Sequence, residues 1–177
     1  MSTSYGRYTT RRLSPTLVVS SLFRYEGVMR DLLLRAKIQN SSTASYALLK
    51  LMYRHRQRLP AGEVIVPAAA SFWGRLRGRS DIAWVLARSI AKQRRGKFME
   101  APLPLHWRWR KQSHLRRAHT KHKQIRFTVP NIAVSILLVD DVVTSGATLL
   151  GLADYFGADA PKQAFTLFSA AQSSNAR

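Results

Sequence analysis

Cysteine is absent from the 177-residue chain. Within it, that excludes disulfide staples, zinc ribbons, iron–sulfur ligation and a thiolate nucleophile. Long apolar runs are missing too. The longest nearly apolar stretch, 132–139, is far shorter than the ~20 residues that cross a bilayer, so no integral membrane segment is expected. The opening MSTSYGRYTTRRLSPT lacks the apolar core of a secretory signal. Together these features predict a cytoplasmic protein. Carboxylates are also scarce: nine Asp and Glu stand against 29 Lys and Arg, a net charge of +20. Such an imbalance calls for a polyanionic partner, whether nucleic acid, acidic lipid or a phosphorylated ligand.

The remaining composition is that of a folded chain. Hydrophobic residues make up 46%, enough for a core, and the length predicts a single domain over 1–177. Residues 1–15 read as a flexible N-terminal extension and 171–177 as a flexible tail. Charge is unevenly placed. Residues 101–130 carry eight basic side chains and no acid, whereas residues 131–177 carry two basic and four acidic ones. Two of the nine acids, Asp140 and Asp141, are adjacent and follow an apolar run.

Periodicity and punctuation give the elements. Thr16 to Arg24 is β-branched and aromatic and predicts a strand. Val28 to Ile38 and Ala44 to Leu59 have helical apolar spacing, separated by Asn40-Ser41-Ser42 and closed by Pro60 and Gly62. Glu63 to Ala69 predicts a short strand and Ser71 to Arg79 a basic loop. Ser80 is the expected N-cap of a helix whose face is Ile82, Val85, Leu86 and Ile90, closed by Arg94-Arg95-Gly96. Phe98 to Leu105 predicts an extended segment, with Pro102 and Pro104 disfavouring a central strand. Asn131 to Val139 predicts a buried strand, 140–146 a turn, 147–156 a helix ended by Gly157, and Lys162 to Ala170 a last strand. Strand–helix alternation through the second half predicts an α/β fold with a mainly parallel sheet.

The chemistry concentrates in Ile136-Leu137-Leu138-Val139-Asp140-Asp141-Val142-Val143-Thr144-Ser145-Gly146-Ala147-Thr148. An inner parallel strand would end in two carboxylates and pass through small residues into a helix N-terminus. In open α/β sheets ligands bind at this edge. Turn N–H groups and the helix dipole suit a phosphate, and Thr144, Ser145 and Thr148 add hydroxyl donors. Gly146 permits close backbone approach. Adjacent carboxylates can accept hydrogen bonds from vicinal sugar hydroxyls. Phosphate and ribose together indicate a ribose-5-phosphate moiety.

This pattern resembles the phosphoribosyl pyrophosphate (PRPP) signature of type I phosphoribosyltransferases. Tyr25-Glu26-Gly27 with the helix ending Arg35-Ala36-Lys37, the Val66-Pro67 strand end, Arg75-Leu76-Arg77-Gly78, Leu86-Ala87, and Gln112 and Leu115 are similar to ComF-type competence proteins. The likeness spans about 16–170, and the chain lacks the zinc ribbon that many such proteins carry. It implies a type I phosphoribosyltransferase-like α/β fold, a mainly parallel sheet flanked by helices. It assigns Asp140 and Asp141 to the ribose, and Val143, Thr144, Ser145, Gly146, Ala147 and Thr148 to the 5-phosphate. Pro67, Ala68, Ala69, Arg75 and Arg77 fall at the pyrophosphate. Residues 106–126 take the place of a flexible catalytic loop, with Lys111, Arg116 and Arg117 as candidate catalytic cations. Mg²⁺ would accompany PRPP, held mainly by substrate oxygens rather than by the protein.

Residues 106–126 also interleave cations with aromatics. Trp107, Arg108, Trp109 and Arg110 fit single-stranded nucleic acid, with rings stacking on bases and cations tracking phosphates. The spacing of His106, His114, His119 and His122 matches no zinc pattern. Two functions follow as expectations. One is a ComF-like, PRPP-binding protein acting with single-stranded DNA during DNA uptake in natural transformation. The other is an active phosphoribosyltransferase of nucleobase or related small-molecule metabolism.

Overall fold

The computed structural model describes residues 8–68, 81–100, 134–156 and 162–170. Among these residues six strands form one sheet: β1 (Thr9–Ser14), β2 (Leu17–Arg24), β3 (Val64–Pro67), β4 (Lys97–Phe98), β5 (Ile136–Val143) and β6 (Lys162–Ser169). Their spatial order is β1-β2-β6-β5-β3-β4. Every neighbouring pair is parallel except β1 with β2, which are antiparallel. Among the described residues, four helices flank the sheet: α1 (Gly27–Ile38), α2 (Ser42–Arg54), α3 (Ile82–Arg94) and α4 (Ala147–Tyr155). The expected α/β fold with a mainly parallel sheet is what forms.

Alternation along β5 sorts the core into two layers. Leu137 and Val139 pack with α1, α2 and α3, through Leu33, Leu48, Met52, Leu86 and Ile90. Ile136 and Leu138 pack on the opposite face with Leu149, Leu152 and Ala153 of α4. A strand buried on both faces needs apolar residues at successive positions, hence the run Ile136 to Val139. Burying side chains such as Leu86 or Leu137, both fully inaccessible, stabilises by about 1.5–3 kcal/mol each relative to exposure.

The chain order sets the position of the site. From β3 the chain crosses through α3 to β4, outward on one side. From β5 it crosses through α4 to β6, outward on the other, with α4 on the opposite face from α3. The winding therefore reverses between β3 and β5. In parallel sheets such a reversal opens a crevice at the carboxyl ends of the two strands, where ligands bind.

Several local expectations change. Thr9–Ser14, read as part of a flexible extension, is β1, an edge strand whose Arg11 lies across from Val19. The N-cap of α3 is Asp81, not Ser80: the Asp81 Oδ1 accepts from the Trp84 N–H at 3.1 Å. The second helix stops at Arg54, and Arg56–Arg58 is a 3₁₀ turn. The strand read as ending at Val139 continues to Val143, because β6 keeps pairing from Asp140 with Thr166 to Val143 with Ser169. No helix among the described residues is long and apolar enough to cross a membrane.

Candidate ligand site at the sheet edge

β3 and β5 last pair at Pro67 and Val139, where the Ala68 N–H donates to the Val139 carbonyl at 2.6 Å. One residue further, Asp140 and Asp141 lie beyond the end of β3 while still anchored on their other side by β6. The sequence thus delivers both acids to the crevice: the apolar run fixes the strand, and the shorter β3 leaves its tip uncovered.

The strand places the two acids differently. Asp140 lines a solvent-open depression of ≈ 210 Å³ formed with residues 142–149. Its Oδ1 accepts from the Asp141 N–H at 2.8 Å. Burial pushes its carboxyl well above the usual range, and the adjacent Asp141 charge pushes in the same direction. Asp141 turns away to an ion pair, with its Oδ2 2.7 Å from Lys37 Nζ. The Asp141 side chain is 8% exposed and that of Lys37 43%. Burial alone would lower the Lys37 ammonium, but attraction and hydrogen bonding to Asp141 outweigh it, so its pKa lies above the usual value. Asp81, at the start of α3, also pulls on Lys37 and pushes on Asp140.

The turn after β5 leads directly into the N-terminus of α4. Gly146 caps α4 in the left-handed region (φ 82°) with no side-chain acceptor, and no acid occupies the first turn of the helix. The Ser145 Oγ accepts from the Ala147 N–H at 3.3 Å. Thr144 and Ser145 are exposed and Thr148 is half-buried, leaving hydroxyls at the rim. Positive potential from the helix dipole adds to these donors. β1 covers one side. Arg11 Nη1 donates to the Thr144 carbonyl at 2.9 Å, and Leu13 packs against Gly146, where a Cβ would come within 2.5 Å of Leu13 Cδ1.

The structure thus gathers Asp140, Val143, Thr144, Ser145, Gly146, Ala147 and Thr148 around one depression. It sets Pro67 and Ala68 at the neighbouring strand end. Ala69, Arg75, Arg77, Trp107, Arg108, Trp109, Arg110, Lys111, Arg116 and Arg117 lie outside the described residues. Sequence reasoning missed Lys37, Asp81 and Arg11 as neighbours of the acids and the turn. Lys37 stood out only within the Arg35-Ala36-Lys37 helix end, where a basic residue is also what the dipole favours, and nothing there tied it to Asp141. Arg11 lay in a segment whose alternation of half-buried and exposed positions is not matched by an alternation of apolar and polar residues.

No protein-family model matches the chain, and no curated protein matches it.

Proposed function

We propose that the protein is a ComF-like, PRPP-binding protein that acts with single-stranded DNA in DNA uptake and natural transformation. The observation that carries the PRPP half is the reversal of winding between β3 and β5, with Asp140 and the N-terminus of α4, led by Gly146, meeting at its mouth. A 5-phosphate fits the turn, with N–H groups and the hydroxyls of Thr144, Ser145 and Thr148 as donors. A ribose hydroxyl fits Asp140, the acid that faces the depression. Asp141, held by Lys37, fixes the strand tip and is shared with the ribose when the ligand enters. The pyrophosphate extends toward Pro67 and Ala68. Two adjacent carboxylates, one of them engaged by Lys37, form only a partial oxygen shell. Mg²⁺ therefore suits this site as a passenger of the PRPP oxygens, adding positive charge to the pyrophosphate leaving group. The DNA half draws on the excess of cations, since one small ligand needs only a few of 29.

The deciding experiment is a thermal melt with PRPP and Mg²⁺. Ligand at a hundredfold excess over Kd stabilises by about 2.7 kcal/mol. For a chain of this length that is a rise of roughly 5–10 °C in Tm. The shift should vanish in Asp140→Ala with Asp141→Ala. An unmoved wild-type melt at millimolar PRPP sinks the reading.

A further inference from the structure

α2 buries Ala44, Leu48 and Met52 in the core. Its opposite face carries Tyr46, Lys50, Tyr53 and Arg54, all exposed. Tyr46 is 66% exposed and Tyr53 51%. They stand seven residues apart, two helical turns, so both rings lie on one side with Lys50 between them. The 3₁₀ turn that follows adds exposed Arg56 and Arg58. The Arg56 guanidinium sits over the Tyr53 ring, 4.7 Å from its centroid. Arg94, from the end of α3, reaches the same turn, donating to the Leu59 carbonyl at 2.7 Å and the Arg56 carbonyl at 3.3 Å. The sequence from Leu32 to Gly62 contains no acidic residue. Two elements thus build one cationic strip with two unburied aromatic rings, and no carboxylate in that stretch neutralises it.

We propose that the outer face of α2, with the Arg56–Arg58 turn and Arg94, is a docking surface for single-stranded nucleic acid. This rests on the proposed function for the class of partner and assigns it a surface separate from the ribose-phosphate crevice. Charge complementarity selects a polyanion. The rings select among polyanions: a tyrosine face stacks on an unpaired base, which a duplex keeps covered. A lipid surface fits less well, because an interfacial helix must bury an apolar face in the bilayer, and the apolar face of α2 is already in the core. The Arg56–Tyr53 stack holds the ring in place, and a guanidinium so held still presents N–H donors to a phosphate.

The test is fluorescence anisotropy of the full chain with a labelled oligothymidylate across a salt series. Lys50→Gln, Arg54→Gln, Arg56→Gln and Arg58→Gln together should weaken binding and flatten the plot of log affinity against log salt, by about 0.7 for each phosphate no longer neutralised. Tyr46→Ala with Tyr53→Ala should weaken binding at least about tenfold without changing that slope. Tyr46→Phe with Tyr53→Phe should keep it. Wild-type affinity in the ring-less variant overturns the proposal. Weakening only in Trp107→Ala with Trp109→Ala also overturns it, and leaves the DNA reading standing. No oligonucleotide binding by the wild type ends both. Binding to phosphatidylserine vesicles in place of the oligonucleotide would assign the face to a membrane and overturn the proposal as well.

Discussion

The Lys37 ammonium lies 2.7 Å from an Asp141 carboxylate oxygen, joining the C-terminal turn of α1 to the tip of β5. The contact holds Asp141, while Asp140 lines the depression beside the turn. With Asp141 paired to Lys37, the strand tip carries two adjacent carboxylates, of which Asp140 has the Asp141 N–H and the more distant pull of Lys37 but no ion pair of its own. Lys37→Met would strand Asp141, which is nearly buried, without its partner.

Removing one partner of a fully buried pair costs roughly 3–5 kcal/mol. Solvent already screens the half-exposed ammonium, so Lys37→Met should cost about 1–2 kcal/mol. The raised Lys37 pKa sets the pH window. Its contribution is complete below the ordinary lysine value and is lost as pH rises through the folded value. Urea melts of the two proteins should therefore differ by a constant amount from neutral to mildly alkaline pH and converge only in strong alkali. Identical stability at pH 7 would show that the contact contributes nothing.

Asp140 carries the opposite burden. Its carboxyl is pushed up by burial and then by Asp141. The folded protein gains from a protonated Asp140, a gain present below the unfolded carboxylate value and lost as pH rises through the folded one. Asp140→Asn keeps an oxygen for the Asp141 N–H and removes the charge. The variant should melt above the wild type at pH 7, with the gap closing toward pH ~4, near the ordinary carboxylate value. It should also lose most of the PRPP-dependent shift. A variant less stable at pH 7, with the deficit growing in acid, would contradict the assignment.

How far the sequence foretold this depends on the range of the interactions. The strand and turn around Asp140 were legible because an apolar run, two acids and a run of small residues follow one another in the chain. α1, α2 and α3 were legible from their apolar spacing. β1 was not. Thr9–Ser14 has no sustained alternation, and only its ladder with β2 makes it a strand. The end of β5 was hidden because adjacent acids resemble a turn, whereas β6 continues to pair with them. Asp81 and Ser80 are both good cap residues, and only the bond to the Trp84 N–H chooses between them. The ion pair between Lys37 and Asp141 and the hydrogen bond from Arg11 to Thr144 join distant segments. No local pattern encodes such pairings.

Gly146 tests whether β1 and the turn form one unit. Its φ of 82° lies in the left-handed region, which costs a residue with a side chain about 1–2 kcal/mol. An added Cβ would also meet Leu13 Cδ1 at 2.5 Å and Cδ2 at 2.8 Å. These atoms are the end of a side chain that can yield, so the steric part should be separable from the backbone part. Gly146→Ala alone should destabilise by roughly 2–3 kcal/mol, the handedness cost plus repacking of Leu13. Adding Leu13→Ala should remove the clash and leave the handedness cost. The two substitutions together should then destabilise by less than the sum of their separate effects, the sign of a direct interaction. Strict additivity in a double-mutant cycle would mean that Leu13 does not bear on the turn. In that case the bond from the Arg11 guanidinium to the Thr144 carbonyl would be what ties β1 to the turn.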